Sequence, residues 1–209
     1  MDIIKKYFKE LNGKQESQLI ALQDLYTDWN SKINLISRKD IDHLYEKHVL
    51  HSLGIAQILR FTDGTSVVDV GTGGGFPGIP LAILFPKVQF LLIDGIGKKI
   101  KATEDIARQI ELENVECRQI RVEDEKRTFD FVISRAVMPL TDLVRTAQKN
   151  ISRNQQNALP NGFLCLKGGN VEEEIKPFKN KVIEYVLSDY FEEDFFKTKK
   201  VIYLPYILC

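Results

Sequence analysis

Asp69, Gly71, Gly73 and Asp94 have the types and spacing of groups that grip a polar ligand. Asp69 is a carboxylate inside an apolar run, Val67-Val68-Asp69-Val70, and a glycine-dense turn follows it, Gly71-Thr72-Gly73-Gly74-Gly75. Glycines let the backbone adopt positive φ and let a ligand approach where a Cβ would collide. Pro77 and Pro80 suit a first helical turn, where a missing N–H costs little. A strand, a glycine turn and a helix start in succession form a cradle for a nucleotide or nucleoside. A ligand-free tight turn is the plainer reading of the same residues.

Gly73, Gly75 and Gly78 also satisfy the dinucleotide pattern G-x-G-x-x-G, which is weak evidence alone. Asp69 points elsewhere, because a dinucleotide fold usually keeps an apolar residue at that place in the strand. A carboxylate there meets the cationic amino group of S-adenosylmethionine, and Asp69-x-Gly71-x-Gly73 resembles the first motif of the class I methyltransferases. Asp94, about twenty residues further on, suits the ribose hydroxyls or a helix cap. Val122 and Glu123 follow a third strand-like run, where a backbone N–H, a carboxylate and an apolar side chain suit an adenine edge. A solvated charge run is the alternative for Glu123-Asp124-Glu125. Phe76 leaves the turn toward the same cleft or into the core.

Ser134-Arg135-Ala136 falls where this fold faces the methyl acceptor. The acidic or Asn residue, Pro-Pro and aromatic that serve exocyclic amines are absent there, and Cys165 lies mid-strand, unsuited to covalent attack. A ring nitrogen with an in-plane lone pair, such as guanine N7, needs no prior deprotonation, so alignment and desolvation suffice. Arg135 suits the acceptor base, the cofactor carboxylate or a structural ion pair. Lys167, beside Gly168-Gly169, suits a phosphate or base contact or plain solvent exposure. His43, His48 and His51 share one predicted helix but lack the ligand spacing of a zinc site, so no metal is expected.

These residues need elements to hold them. Helices are predicted over Asp2–Leu11, Glu16–Ile33 and Ile41–Leu59, the last capped by Asp40. From Thr65, strands at Ser66–Val70, Val88–Asp94, Val115–Arg121, Phe129–Ser134 and Gly162–Lys167 alternate with helices at Gly78–Phe85, Lys98–Leu112, Leu140–Ile151 and Val171–Phe178. That order implies right-handed crossovers and a mostly parallel sheet. Val182–Leu187 and Lys200–Tyr206 then read as an antiparallel hairpin at one edge. The fold class is therefore α/β, a Rossmann-like class I methyltransferase sheet with an N-terminal helical cap over residues 1–62 and the sheet domain over 63–209, one compact unit. With 209 residues, 29 basic against 29 acidic, the chain has a core of good size and no global field for nucleic acid. Three scattered cysteines, Cys117, Cys165 and Cys209, and no membrane-length apolar run suggest a soluble cytoplasmic protein.

Several segments together resemble one family. Trp29-Asn30-Ser31-Lys32-Ile33-Asn34-Leu35, Lys47-His48-Val49-Leu50-His51-Ser52-Leu53, Asp69 through Leu81, Asp94 through Lys99, Arg121-Val122-Glu123, Ile133 through Ala136 and Leu166-Lys167-Gly168 are similar to the glucose-inhibited division protein B family, the ribosomal small-subunit methyltransferases G. The resemblance implies S-adenosylmethionine as cofactor, S-adenosylhomocysteine as product, and N7 of a decoding-region guanine in 16S rRNA as acceptor. It implies cofactor contacts at Gly71, Phe76, Val122, Glu123 and Arg135, and positions facing RNA or bracing the cleft at Asn34, His48 and Lys167. The partner expected is 16S rRNA or the small ribosomal subunit, met by a monomer away from membranes. His51 and Gly95 depart from the family pattern, and Ala102-Thr103 replaces a bulkier pair, which is expected to affect packing alone. The rival functions are a small-molecule methyltransferase on this scaffold, an NAD-dependent oxidoreductase, and an RNA-binding module without catalysis.

Overall fold

The computed structural model of the chain describes residues 1–206. Cys209 lies outside them. The helical front end comprises α1 (Asp2–Tyr7), α2 (Gly13–Lys32) and α3 (His51–Ile58). The sheet region follows with β1 (Ser66–Val70), α4 (Gly78–Leu84), β2 (Gln89–Ile93), α5 (Gly97–Gln109), β3 (Val115–Arg118), β4 (Phe131–Arg135), α6 (Leu140–Ala147), β5 (Gly162–Gly168), α7 (Glu172–Ile175), β6 (Ile183–Val186) and β7 (Lys199–Pro205). The strands form one sheet in the order β3-β2-β1-β4-β5-β7-β6, with β1 to β5 parallel and β7 antiparallel to both neighbours. Chain order reverses between β1 and β4, so the crevice beyond their carboxyl ends is where such a sheet receives a ligand.

Alternation along each strand feeds two cores. Val67, Phe90, Leu92 and Ile133 pack with Leu19, Leu22 and Tyr26 of α2, Leu53 and Ile55 of α3, Ile79 of α4 and Ile106 of α5. Val68, Leu91, Val132 and Cys165 pack with Leu140, Leu143 and Ala147 of α6 on the other face. Asp69 shares its face with Val67 and so points toward α2 and α4, among apolar neighbours.

The front end differs from expectation in three places, the first being that α1 ends at Tyr7 and not at Leu11. Asn12 does not merely separate helices; it caps α2, its Oδ1 accepting from Gln15 N at 2.9 Å while Gln15 Oε1 accepts from Asn12 N at 3.0 Å. That reciprocal pair satisfies two helix-end donors. The predicted helix over Ile41–Leu59 is three segments: a 3-10 helix at Arg38–His43, a π-helical turn at Tyr45–Leu50, and α3. Ser37, not Asp40, caps the first of these, and Asp40 instead pairs with Lys47 at 2.8 Å. The helix expected over Val171–Phe178 is shorter, because Pro177 opens a 3-10 stretch at Lys176–Lys181. Two 3-10 turns, Leu187–Asp189 and Asp194–Thr198, separate β6 from β7 where a bare hairpin was expected.

Candidate functional site

The glycine turn that leaves β1 is held from four sides. Asp69 is fully buried; its Oδ2 accepts from Thr72 Oγ1 at 2.7 Å and from Gly78 N at 2.9 Å, joining the strand end to the start of α4. Among the described residues its Oδ1, also buried, has no hydrogen-bond partner. Burial pushes the carboxyl up to about 7, against the pull of Thr72 and the Gly78 amide. From β2, Asp94 Oδ2 accepts from Gly73 N at 2.9 Å and Oδ1 from Ile96 N at 2.8 Å, so this carboxylate links the turn to the loop entering α5. From α5, Thr103 Oγ1 donates to the Gly73 carbonyl at 3.1 Å, and from α2 the Tyr26 hydroxyl donates to the Gly74 carbonyl at 2.5 Å. Gly71 and Gly73 have φ of 67° and 57°, a region that other residues seldom adopt.

The rim continues at the end of β4. Arg135 lies with its guanidinium carbon 4.9 Å from the centroid of the Phe76 ring, which stacks on Tyr26 at 4.8 Å. Nη2 is 2.9 Å from His48 Nδ1, and Nη1 donates to the Lys47 carbonyl at 3.3 Å. Burial lowers Arg135 to about 10, with the Asp69 charge opposing, and lowers His48 to about 3, helped by the Arg135 charge. Beyond Arg135, Ala136 has φ of 51°, and Val137 crosses Gly71 so closely that a Cβ there would collide with it.

The residues expected at the site form two clusters, with Val122, Glu123, Asn34 and Lys167 outside both. Asp69, Gly71, Gly73 and Asp94 meet in one hydrogen-bonded turn, and Phe76, Arg135 and His48 form a second cluster at the adjoining strand end. Val122, buried, and Glu123, exposed, sit in a 3-10 turn in the loop beyond β3, at the same end of the sheet. Asn34 is exposed on a loop whose next residue, Leu35, packs on Gly74, with Asn30 Oδ1 accepting from Leu35 N and Ile36 N. His48 is buried under Arg135 rather than turned outward. Lys167 is neither free nor solvent-exposed: its Nζ donates to the Met138 carbonyl at 2.8 Å and pairs with Glu174, which also accepts from Leu140 N. Arg135, for its part, makes no ion pair among the described residues.

Sequence reasoning missed Thr72, Tyr26, Thr103, Asn30 and Val137. Tyr26 was legible only as part of an apolar stripe; its hydroxyl carries no spacing signal. Thr103, expected to affect packing alone, holds a glycine-turn carbonyl. Thr72 stands inside the glycine motif beside Asp69, and that adjacency was the available clue. Among the described residues no group of three or more His, Cys, Asp or Glu is placed to hold a metal, and no helix is long and apolar enough to cross a membrane.

Comparison with known proteins agrees with this architecture. Solved structures of a SAM-dependent methyltransferase from Aquifex aeolicus (TM-score 0.54, 15% identity, 81% of this chain and 98% of that one) and an rRNA methylase from Streptococcus thermophilus (TM-score 0.52, 13% identity, 76% and 95%) share the fold. In sequence, proteins named ribosomal RNA small subunit methyltransferase G are much nearer. That of Phocaeicola vulgatus is 62% identical over 98% of each chain, and that of Porphyromonas gingivalis is 57% identical over 98% of this chain and 93% of its own. The family model described as rRNA small subunit methyltransferase G matches residues 15–201. With a glycine cradle beyond β1, an arginine at the end of β4 and kinship along nearly its whole length, the chain belongs to the rRNA small subunit methyltransferase G family.

Proposed function

We propose that the chain transfers a methyl group from S-adenosylmethionine to N7 of a guanine in the decoding-region loop of 16S rRNA, in the cytoplasm and as a monomer. The observation that carries this reading is Asp69 Oδ1, a buried carboxylate oxygen without a partner beside a glycine turn. Such an atom calls for a donor, and the ammonium of the cofactor's amino-acid end supplies one. Gly73 offers bare backbone at that end, and Gly71 lets the chain turn there beneath Val137. Asp94 faces the ribose, with its bonds to Gly73 and Ile96 fixing the carboxylate in place. Val122 and Glu123 face the adenine. Arg135, cationic and anchored on Phe76, takes the cofactor carboxylate.

Bound there, the cofactor supplies a methyl group activated by a sulfonium. The protein's task is to exclude water and align the guanine for attack along the bond that breaks, with inversion at the methyl. N7 carries its lone pair in the ring plane, so no general base is assigned and the reading calls for no metal. Asn34 contacts RNA at the rim. His48 and Lys167 brace the cleft from beneath, Lys167 by fixing Met138 and Glu174 behind the loop that carries Val137. Zero net charge directs recognition to a shaped RNA or subunit surface.

The test is incubation of purified protein and labelled cofactor with naked 16S rRNA, small subunits and a metabolite extract. N7-methylguanine at one decoding-region position is expected. Label entering metabolites alone would overturn the proposal, and calorimetric binding of NAD but not of S-adenosylhomocysteine would overturn the cofactor.

A further inference from the structure

Arg135 has an unusual set of partners for a buried cation. The acid that acts most on its charge is Asp69, yet the two form no ion pair among the described residues, and Asp69 Oδ1 stays unpartnered. The guanidinium is held instead by His48 Nδ1, by the Lys47 carbonyl and by the face of Phe76. Guanidinium nitrogens only donate, so Nδ1 must be the acceptor and the proton of the neutral ring sits on Nε2. That Nε2 is itself buried and without a partner among the described residues. The imidazole is thus kept in a tautomer that leaves its own donor unsatisfied while serving Arg135. The backbone supports the same end: Lys47 and His48 lie in the π-helical turn Tyr45–Leu50, a widening that recurs where a helix serves a site.

We propose that His48 is a positioning residue, whose Nδ1, together with the Lys47 carbonyl, holds Arg135 over the Phe76 ring and out of an ion pair with Asp69. Without that hold, the cation and the carboxylate neutralise each other inside the cleft. With it, Asp69 Oδ1 stays free for an ammonium and Arg135 for a carboxylate, the two charged groups of an α-amino acid. The inference rests on the reading that these two residues contact the cofactor.

Three variants and one wild-type measurement test it. His48→Leu keeps the bulk but removes the acceptor, and it is expected to weaken S-adenosylhomocysteine binding about tenfold while the ligand-free thermal midpoint holds. His48→Asn returns an acceptor near Nδ1 and is expected to recover affinity to within about threefold of wild type. In turnover, His48→Leu raises KM for the cofactor more than it lowers kcat. Equal loss in His48→Asn and His48→Leu, or a lowered midpoint with unchanged affinity in His48→Leu, overturns the inference. Should His48→Leu fail to fold, nitrogen NMR of the wild-type imidazole decides: Nε2 protonated and Nδ1 bare supports it, whereas the reverse tautomer or titration near the ordinary histidine value overturns it. Arg135→Ala separates the two layers. If it binds S-adenosylhomocysteine as wild type does, the cofactor reading itself falls; if it binds weakly while His48→Leu does not, the positioning role alone falls.

Discussion

Asp69 does two jobs with one carboxylate. Oδ2 ties Thr72 and Gly78 together, and Oδ1 has no partner among the described residues. Burial raises its pKa to about 7, so the ligand-free folded chain holds a proton that the unfolded chain has released. The sign follows from linkage: this contribution to stability is whole below the ordinary aspartate value and is lost as pH rises through about 7. Asp69→Asn is expected to flatten that slope in thermal midpoints measured between about pH 4.5 and 7.5. An ammonium beside Oδ1 favours the ionised form, so protons and ligand compete. Binding of S-adenosylhomocysteine is expected to tighten roughly tenfold between about pH 5.5 and 7.5 in the wild type and to be weak and flat in Asp69→Asn. A variant with the wild-type pH dependence would remove Asp69 from the ammonium site. Gly71→Ala probes the neighbouring position. Positive φ and the collision with Val137 together are expected to destabilise by more than the ~0.4–1 kcal/mol that the same replacement gains where the backbone permits it, read as a lowered thermal midpoint with weakened cofactor binding.

At the scale of elements, the loop between α2 and the 3-10 helix at Arg38–His43 gives the glycine turn its outer wall. Asn30, buried near the end of α2, accepts the Leu35 and Ile36 amides and so sets where Leu35 meets Gly74. Asn30→Ala leaves two buried N–H groups without an acceptor, a cost of about 1–3 kcal/mol for each. The expected result is a lower thermal midpoint, with amide exchange at Leu35 and Ile36 accelerated beyond that of the β1 amides. Equal acceleration at both places would mean that Asn30 supports the fold at large and not this loop. Elements of this kind were only partly legible in the sequence. The strands were readable because buried parallel strands are short apolar runs between breakers, and Val67-Val68-Asp69-Val70 ahead of glycines leaves little choice. The segment 38–58 was not, since its apolar spacing does not distinguish 3-10, α and π turns. Side-chain hydroxyls from α2 and α5 that end on glycine carbonyls carry no periodic signal at all.

The whole molecule shows why the helical front end and the sheet act together. Its two cores are unequal: the one beneath α2 and α3 mixes Leu19, Leu22, Tyr26, Leu44, Leu50, Leu53 and Ile55 with Val67, Phe90, Phe131 and Leu164. The site draws on both parts, since Tyr26 and His48 come from the front end while Gly74 and Arg135 come from the sheet. Removing residues 1–62 takes away the front-end side chains of the core beneath α2 and α3, with Ile4, Val49, Leu59 and Phe61 besides, and bares the sheet face they cover. The segment 63–209 is therefore expected not to fold alone, despite containing every strand and the glycine turn. The full chain is expected to unfold in one cooperative transition, seen alike by circular dichroism and by the fluorescence of Trp29, its sole tryptophan, and shifted upward by S-adenosylhomocysteine. A soluble 63–209 fragment with its own sharp transition, or a full-length transition that splits between the two probes, would make the front end a separable domain and leave Tyr26 and His48 as visitors to the site.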